Sequence, residues 1–291
     1  MTEASTRPGH RLLGVFAHPD DETFGIGGTL AVYAKRGVGT HVVCATRGEV
    51  GEAPEGLKGF ASKAEMRMDE LDCASRILGL SSVRYLGYRD SGMPGSEHNT
   101  HAQATVAAPI SEVARKIAWH IRDIRPQVII TFDPIGGYRH PDHIAVHQAT
   151  IEAFRMAGDP AEALEGLPPY APQKLYFDNF SRRMLRIGVW VLRLLRRDPR
   201  RFGENHDVDL VSIAEVDFPT HADINIGAVA DIKAAAAACH ESQGGRRMAS
   251  RPVKVLTRIF GAREQYMRAI PNTPPARTET DLFEGVKLDS G

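Results

Sequence analysis

Two short His-Pro-Asp segments carry the side chains best suited to chemistry in this chain. The first is "HPDD" at 18–21, and the second is "HPDH" at 140–143. In each, a proline stiffens the turn and stops the preceding strand, so that imidazole and carboxylate groups surround one point. The adjacent carboxylates of Asp20 and Asp21 repel each other, and a divalent cation would remove that repulsion. Neutral imidazole together with carboxylate is a ligand set that suits zinc.

Each segment taken alone has a plainer interpretation. An Asp-Asp pair most often supplies a helix N-cap and its neighbour, and a single histidine is weak evidence for a metal. A catalytic zinc site needs three protein ligands and one open position, so the two segments must meet in space. His147 lies four residues after His143 and could bind the same ion or face solvent.

The elements that must position these segments alternate between apolar strands and helices. The β-rich runs lie at 11–17, 40–46, 83–88, 126–134 and 174–177, and the helical patterns between them lie at 27–37, 62–80 and 104–126. This alternation predicts a Rossmann-like α/β fold with a mostly parallel sheet and helices on both faces. Such sheets bind ligands beyond the carboxyl ends of their strands, which is where both His-Pro-Asp segments fall.

The pattern is looser after residue 155. We expect one domain over 1–291, with a catalytic core at about 11–155, an irregular stretch at 214–227 before a helix at 228–243, a C-terminal lid or insert at about 178–206, and an extended surface tail at 270–291. We find no internal repeat.

Residues 181–201 combine nine large apolar side chains with eight arginines. We expect this segment to be a lid or a homo-oligomer contact with a solvated basic edge. The alternative is peripheral membrane contact, in which the arginines meet anionic headgroups. The nearly continuous apolar stretch, however, predicts a poor amphipathic moment for a helix lying flat.

Composition excludes several classes of function. The chain has 36 Lys and Arg residues against 36 Asp and Glu residues, which argues against general nucleic-acid binding. Its cysteines, Cys44, Cys73 and Cys239, are far apart and lack CxxC spacing, so we expect neither a disulfide scaffold nor a thiolate zinc site. A reducing, cytoplasmic location follows as the default. No signal peptide or ordinary membrane span is recognisable.

The glycines of "GIGG" at 25–28 follow a strand but do not complete a dinucleotide-binding fingerprint. The third glycine is missing, and carboxylates in the first turn would repel a pyrophosphate. We therefore interpret these glycines as allowing close packing of the helix start on the sheet. A nucleotide-dependent oxidoreductase or transferase is kept as the alternative from a different class.

The segments "AHPDDE" and "GGYRHPDH" together resemble the PIG-L/LmbE-like family of zinc-dependent de-N-acetylases. This family includes N-acetylglucosaminyl-phosphatidylinositol deacetylase and the deacetylases and amidases of mycothiol and bacillithiol metabolism. The resemblance extends to "TRGEVGE" (46–52), "KAEMRMDELDCA" (63–74) and "YRDSGMPG" (88–95). It covers about 11–155 and, weakly, "CHESQ" at 239–243.

The resemblance implies a metal-dependent hydrolase that removes an N-acetyl or other small acyl group from an N-acetylglucosamine-type conjugate. The zinc ligands would be His18, Asp21 and His143, with Fe²⁺ as the alternative metal. An amidase of a larger thiol- or sugar-linked amide would share every catalytic residue. A sugar-binding protein that keeps the metal without catalysis is a further alternative.

The same resemblance assigns the remaining roles. Asp20 would be the general base that takes a proton from water. His140 would stabilise the oxyanion or protonate the leaving amine, and Asp142 would orient His140. Tyr138 would polarise the substrate carbonyl.

Three further residues would contact the small-molecule substrate. Arg67 and Asp90 match family residues that hold sugar hydroxyls, and Glu49 falls near the pocket. Arg67 could instead pair with acidic neighbours on its own helix surface, and Asp90 could cap a turn before Gly92. His240 in "CHESQ" could line the pocket, although a hydrogen-bonded structural histidine is the favoured interpretation.

Overall fold

Seven strands form a single sheet in the computed structural model, which describes residues 9–53, 56–179, 182–202, 208–248 and 262–288. The strands are β1 (Arg11–Phe16), β2 (Gly39–Cys44), β3 (Ser82–Tyr85), β4 (Val128–Thr131), β5 (Lys174–Asn179), β6 (Ala222–Asn225) and β7 (Arg263–Ile270). Their spatial order is β3-β2-β1-β4-β5-β7-β6. Strands β1 to β5 run parallel, whereas β7 is antiparallel to both β5 and β6.

Helices connect and cover these strands. They are α1 (Asp21–Lys35), α2 (Lys63–Leu78), α3 (Ile110–Ile124), α4 (Gly136–Arg139), α5 (Pro141–Gly158), α6 (Arg182–Leu194), α7 (Leu210–Ala214), α8 (Ala230–Cys239) and α9 (Gly245–Met248). The predicted Rossmann-like α/β class is confirmed, and each of the five predicted strands is present. β4 is buried along its whole length, as expected for a parallel strand with both faces covered.

The first helix begins earlier than the sequence pattern predicts. α1 starts at Asp21, six residues before the predicted start at 27, with Asp20 in the N-cap position. The side chain of Asp20 makes no capping hydrogen bond, and its φ of 132° lies in a region that residues other than glycine rarely adopt. The Asp-Asp pair therefore marks the helix start but leaves the Asp20 carboxylate available for other contacts.

The C-terminal part contributes more to the sheet and core than expected. The stretch 214–227 contains strand β6, and β7 was not predicted at all. The tail expected along the surface at 270–291 instead places Leu282 and Phe283 in the core, at 0 % and 1 % exposure. Its proline-rich composition concealed one short apolar pair that packs against the core, as in the ring contact between Phe283 and Tyr33.

The cysteine expectation is wrong for two of the three thiols. Cys73 in α2 and Cys239 in α8 form a disulfide, 166 residues apart in sequence. Their pairing depends on α2 packing beside α8, which sequence spacing cannot show. Cys44 is a buried free thiol. The argument from cysteine usage to a reducing compartment therefore loses its basis.

Among the described residues, no helix combines the length and apolar character needed to cross a bilayer.

Candidate functional site

The two His-Pro-Asp segments lie side by side because the strands that precede them are neighbours. β1 pairs in parallel with β4, so the loops that follow both strands emerge at the same edge of the sheet. His18 follows β1 directly, and the second segment follows β4 through the short helix α4. His18, His140 and His143 are all buried there.

Three donor groups converge at this edge. Nδ1 of His18 lies 3.2 Å from Nε2 of His143. The Asp21 carboxylate approaches both rings, with one oxygen 3.5 Å from Nδ1 of His18 and the other 3.3 Å from Nε2 of His143. Ligands at the corners of a tetrahedron around zinc are about 3.3 Å apart, given metal–ligand bonds of about 2.0–2.1 Å. The spacing of the donors therefore fits a small tetrahedral cation.

The other nitrogen of His18 is held by carboxylates. Nε2 lies 3.1 Å from Oδ2 of Asp142 and 3.4 Å from Oδ1 of Asp90. The same Asp142 oxygen accepts a hydrogen bond from the Ser91 amide at 2.9 Å. A carboxylate on the far nitrogen is the usual support of a metal-binding histidine. The Asp142 carboxylate therefore orients His18. The expectation that this carboxylate orients His140 is wrong.

His140 is close enough to belong to the same donor cluster. His18, His140 and His143 can each offer a nitrogen within one group that could hold a metal. Nδ1 of His140, however, accepts a hydrogen bond from the Asp142 amide at 3.2 Å. That bond places the ring proton on Nε2, so His140 presents a donor rather than a lone pair to the site. Asp21 is therefore the better third ligand.

The electrostatics of the cluster favour a cation. Burial opposes charge on His18, but Asp90, Asp142 and Asp21 raise its pKa well above the usual value. Burial would raise the pKa of Asp21, but His143 and His18 together hold it below its ordinary range. The field that stabilises positive charge between these groups also stabilises a divalent ion.

The two histidines of the second segment, His140 and His143, stay neutral near pH 7. Burial, with the neighbouring His18 and His143 rings, lowers the pKa of His140 to about 3. Burial also lowers the pKa of His143 to about 4, although Asp21 opposes the shift. Neutral imidazole is the form that binds a metal.

Asp20 lies beside the cluster with its carboxylate directed at Arg67. Oδ2 of Asp20 is 3.2 Å from Nη2 of Arg67. Burial raises the pKa of Asp20 to about 7, and the opposing effect of Arg67 is smaller. The carboxyl is therefore suited to exchanging a proton near neutral pH.

Arg67 supports the loop that carries Asp20. Its guanidinium is buried and donates to the carbonyl oxygens of Pro19 at 2.6 Å and Gly48 at 3.3 Å. The alternative that Arg67 pairs on the surface of its own helix is wrong. Gly48 has a φ of +69°, and a side chain there would collide with the guanidinium.

Asp90 and Glu49 form a second supporting turn. Asp90 accepts hydrogen bonds from the amides of Gly92 at 2.8 Å and Val50 at 3.3 Å, as the turn-capping alternative predicts. Glu49 accepts from the Asp90 amide at 3.1 Å. Burial opposes the shift, but His18 and the Gly92 amide lower the pKa of Asp90 below its usual range.

Tyr138 stands at the open side of the cluster. It is 38 % exposed, with its ring centroid 5.0 Å from that of His143 and 5.8 Å from that of His140. Asp133 fixes the loop beneath it by accepting a hydrogen bond from the Gly137 amide at 2.8 Å. Tyr138 can therefore contact a molecule that enters the site.

Two buried residues form a pair near the site, and sequence reasoning assigned no role to one of them, Glu22. Glu22 and His240 are both fully buried, and Nε2 of His240 lies 3.0 Å from Oε1 of Glu22. The other Glu22 oxygen accepts a hydrogen bond from the Asp20 amide at 2.9 Å. His240 is thus a hydrogen-bonded structural histidine, which was the favoured interpretation. It supports Glu22, and Glu22 in turn holds the backbone amide of Asp20. The glutamate of "AHPDDE" was the available signal.

His147 is not part of the cluster. Its Nδ1 faces the carbonyl oxygen of Phe132 at 2.8 Å, and its ring packs against Phe177. It therefore neither shares an ion with His143 nor faces solvent. Phe132 itself stacks on His143 with ring centroids 3.9 Å apart, which fixes that imidazole.

The "GIGG" glycines admit a buried ion pair rather than a nucleotide. Glu264 accepts hydrogen bonds from the amides of Gly28 and Thr29, and it pairs with Lys233 at 2.6 Å. Lys233 also donates to the carbonyl oxygen of Phe24. A side chain at Gly28 would lie 2.8 Å from Glu264. This assembly ties α1, whose first turn carries Asp21, to β7 and α8.

Comparisons with known proteins show which family this chain resembles. The family model described as GlcNAc-PI de-N-acetylase matches residues 13–154. A 1D-myo-inositol 2-acetamido-2-deoxy-alpha-D-glucopyranoside deacetylase from Streptomyces scabiei is 34 % identical over 98 % of this chain and 92 % of the relative. The enzyme of the same name from Streptomyces avermitilis is 36 % identical over 96 % of this chain and 98 % of its own length.

A solved structure shares the fold. A conserved protein from Thermus thermophilus superposes with a TM-score of 0.61 at 26 % identity, covering 91 % of this chain and 96 % of that protein. The resemblance drawn from the two His-Pro-Asp segments is thereby confirmed.

Proposed function

Because this chain belongs to the PIG-L family of GlcNAc-PI de-N-acetylases, we propose that it hydrolyses the acetamide of an N-acetylglucosamine-type conjugate. The observation that carries this proposal is the convergence of His18, Asp21 and His143, with Asp20 beside them and not among them. Three candidate ligands with a separate carboxylate base make up the machinery that metal-assisted amide hydrolysis needs.

We infer that His18, Asp21 and His143 hold one divalent cation, and that the cation is zinc. The donor set of two imidazoles and one carboxylate suits zinc, and three protein ligands leave one position open, as catalytic sites require. When bound, such an ion lowers the pKa of water in the open position and polarises an amide carbonyl.

Asp20 is then the group that moves the proton. Its carboxylate would accept a proton from the attacking water, whose oxygen forms a bond to the acetamide carbon. The C–N bond then breaks, and Asp20 would return the proton to the leaving nitrogen, giving acetate and a free amine. Two contacts hold Asp20 in place for both transfers. Nη2 of Arg67 lies 3.2 Å from the Asp20 carboxylate, and Glu22 accepts a hydrogen bond from the Asp20 amide.

His140 and Tyr138 would stabilise the charge that develops on the carbonyl oxygen. The hydrogen bond from the Asp142 amide to Nδ1 leaves the Nε2–H of His140 as a donor. This arrangement favours the oxyanion role of His140 over the role of acid to the amine. The exposed Tyr138 hydroxyl could supply a second donor from the solvent side.

The relatives named above act on an acetamido sugar attached to inositol, and we propose a substrate of that class: a small conjugate with a 2-acetamido-2-deoxyglucose ring. The sugar-contact roles of Arg67, Asp90 and Glu49 are less direct than the resemblance implies. Each already has protein partners, so their first effect would be to position Asp20 and His18.

The test is acetate release from a panel of N-acetylglucosamine conjugates, with N-acylated conjugates of longer chain as comparison. We expect Asp20→Asn to lower kcat by about 10²–10⁴-fold, the usual value of a general base, while the variant keeps its metal. Undiminished turnover by Asp20→Asn would refute the assignment of the base. Turnover of the longer acyl conjugates alone would refute the deacetylase assignment in favour of an amidase.

A further inference from the structure

Exposed apolar side chains are concentrated in one segment outside the site. Of nine large apolar residues that are exposed among those described, six lie in the segment 187–202: Ile187, Trp190, Val191, Leu194, Leu195 and Phe202. Trp190, Leu194 and Leu195 are each exposed by more than 60 %. Exposed apolar patches of this kind mark interaction surfaces in soluble proteins.

Five of these residues share one face of α6 and of the turn that follows it. Ile187, Trp190, Val191, Leu194 and Leu195 recur with the three- and four-residue spacing of a helix. Val189 lies on the opposite side and packs against Val211 and Ala214. The segment is thus attached to α7 by one side and presents a second apolar side outward. This corrects the expectation that the segment would have a poor amphipathic moment.

Positive charge surrounds the exposed face. From 185 to 202 the chain has six exposed arginines and one acid, Asp198. Two of the arginines face carboxylates of neighbouring elements: Arg186 lies 3.7 Å from Asp217, and Arg200 lies 2.9 Å from Asp209. Arg193 follows Trp190 by three residues within α6 and so borders the apolar face. Arg197 is exposed just after the end of the helix.

We propose that this face docks on the surface of an anionic lipid membrane. An apolar helix face with tryptophan at its centre and arginines along its border matches an interfacial helix, in which the apolar side enters the acyl boundary and the arginines reach the headgroups. The alternative of a symmetric dimer through the same face would bring two copies of an arginine-rich segment together, with six exposed arginines against the one acid Asp198 in each copy.

One helix separates the docking helix from the site. α6 packs on α7, and α7 lies against α4, which carries Tyr138. The proposal does not depend on which reaction the site performs.

The fluorescence of Trp190 can report directly on the environment of this face. The chain has only one other tryptophan, Trp119, so Trp119→Phe leaves a single fluorophore on the face. Vesicles that contain phosphatidylglycerol should shift the Trp190 emission to the blue, and lipids brominated on their acyl chains should quench it. Pure phosphatidylcholine vesicles should do neither. Equal emission in both would overturn the proposal.

Cosedimentation with the same vesicles tests the two components separately. Leu194→Glu should weaken binding by about tenfold or more, whereas Leu288→Glu, at an exposed leucine elsewhere, should not. Arg193→Glu with Arg197→Glu should also weaken it at least about tenfold, and Arg277→Glu should not. Binding should fall as salt is raised.

Three results would overturn the proposal. The first is equal loss of binding in the control variants. The second is no binding to anionic vesicles by the wild type. The third is dimerisation in sedimentation equilibrium that Leu194→Glu abolishes without any lipid, which would assign the face to a second copy of the chain.

Discussion

The catalytic edge of the sheet and the α6–α7 segment place polar and apolar groups in opposite ways. At the catalytic edge, His18, Asp142 and Arg67 are buried. His18 contacts Asp142, and Arg67 contacts Asp20. In α6, Trp190 and Leu194 are exposed beside arginines. Burying a polar group is costly unless it has a partner, and exposing a large apolar group is costly unless something covers it. The first arrangement is suited to chemistry, and we propose that the second serves docking.

Among the residues that position the proposed ligands and base, the largest expected effect concerns the support of His18. Asp142→Asn removes the nearer of the two carboxylates beside Nε2 of His18 and leaves Asp90, and we expect metal affinity to fall by about 10–100-fold. Competition with a chromogenic chelator measures the affinity directly. Glu279→Gln, at a buried carboxylate paired with Lys174 in the C-terminal part of the sheet, should leave the affinity unchanged. An unchanged affinity in Asp142→Asn would show that the cation is bound elsewhere.

The next effect concerns the buried pair behind Asp20. His240→Ala removes the imidazole partner of Oε1 of Glu22 and leaves the Thr23 hydroxyl on that oxygen, so the acceptor of the Asp20 amide is held less firmly. We expect kcat to fall by about tenfold or more with KM nearly unchanged, because small displacements of a base cost rate rather than binding. His240→Gln keeps a donor near the Nε2 position and should restore most of kcat.

A matched control separates positioning from general loss of stability. His10 is also buried but packs against Phe283, away from the cluster. His10→Ala should reduce the melting temperature without lowering kcat. If His10→Ala and His240→Ala lowered kcat equally, or if His240→Gln failed to restore it, the positioning role would be disproved.

Asp178, near the end of β5, has a side chain that makes no hydrogen bond or ion pair with the residues that the structure describes. It is 6 % exposed, and burial, with Asp133 and Asp21 nearby, raises its pKa to about 8. Because the folded state binds this proton more tightly than the unfolded state, Asp178 destabilises the fold progressively as pH rises from about 4 to about 8. Asp178→Asn should therefore raise the melting temperature at pH 9 by several degrees and change it little at pH 4. An equal shift of the melting temperature at both pH values would contradict the raised pKa of Asp178.

The smallest effect on stability is expected in α6. Trp190→Ser removes an apolar group that is already 63 % exposed, so the free energy of unfolding should change by less than about 0.5 kcal/mol. Without vesicles, kcat on a soluble conjugate should stay within about twofold of the wild type. A large loss of stability in urea unfolding would show that Trp190 packs against the protein.

Sequence reasoning reached the parts of the molecule that local pattern determines. Apolar strand runs that alternate with helical patterns gave the parallel half of the sheet. Both His-Pro-Asp segments follow such strands, which is why their meeting could be foreseen. The antiparallel strands β6 and β7 could not be, because their sequences, ADIN and REQYMRAI, lack the apolar run of a buried parallel strand.

The errors at the site have a different origin. Arg67 faces inward because the Gly48 turn lies over its helix, and Asp142 reaches His18 rather than its chain neighbour His140. The Cys73–Cys239 bond likewise requires two helices to pack. Residue type and spacing indicate which groups can act, and only the packing of loops determines which of them meet.

Metal analysis of the purified protein and two variants tests the central claim most directly. We expect about one zinc per chain in the wild type and in His140→Ala, and loss of that zinc in Asp21→Ala. Zinc retained at full stoichiometry by Asp21→Ala, or lost from His140→Ala while Asp21 is intact, would contradict the ligand set His18, Asp21 and His143.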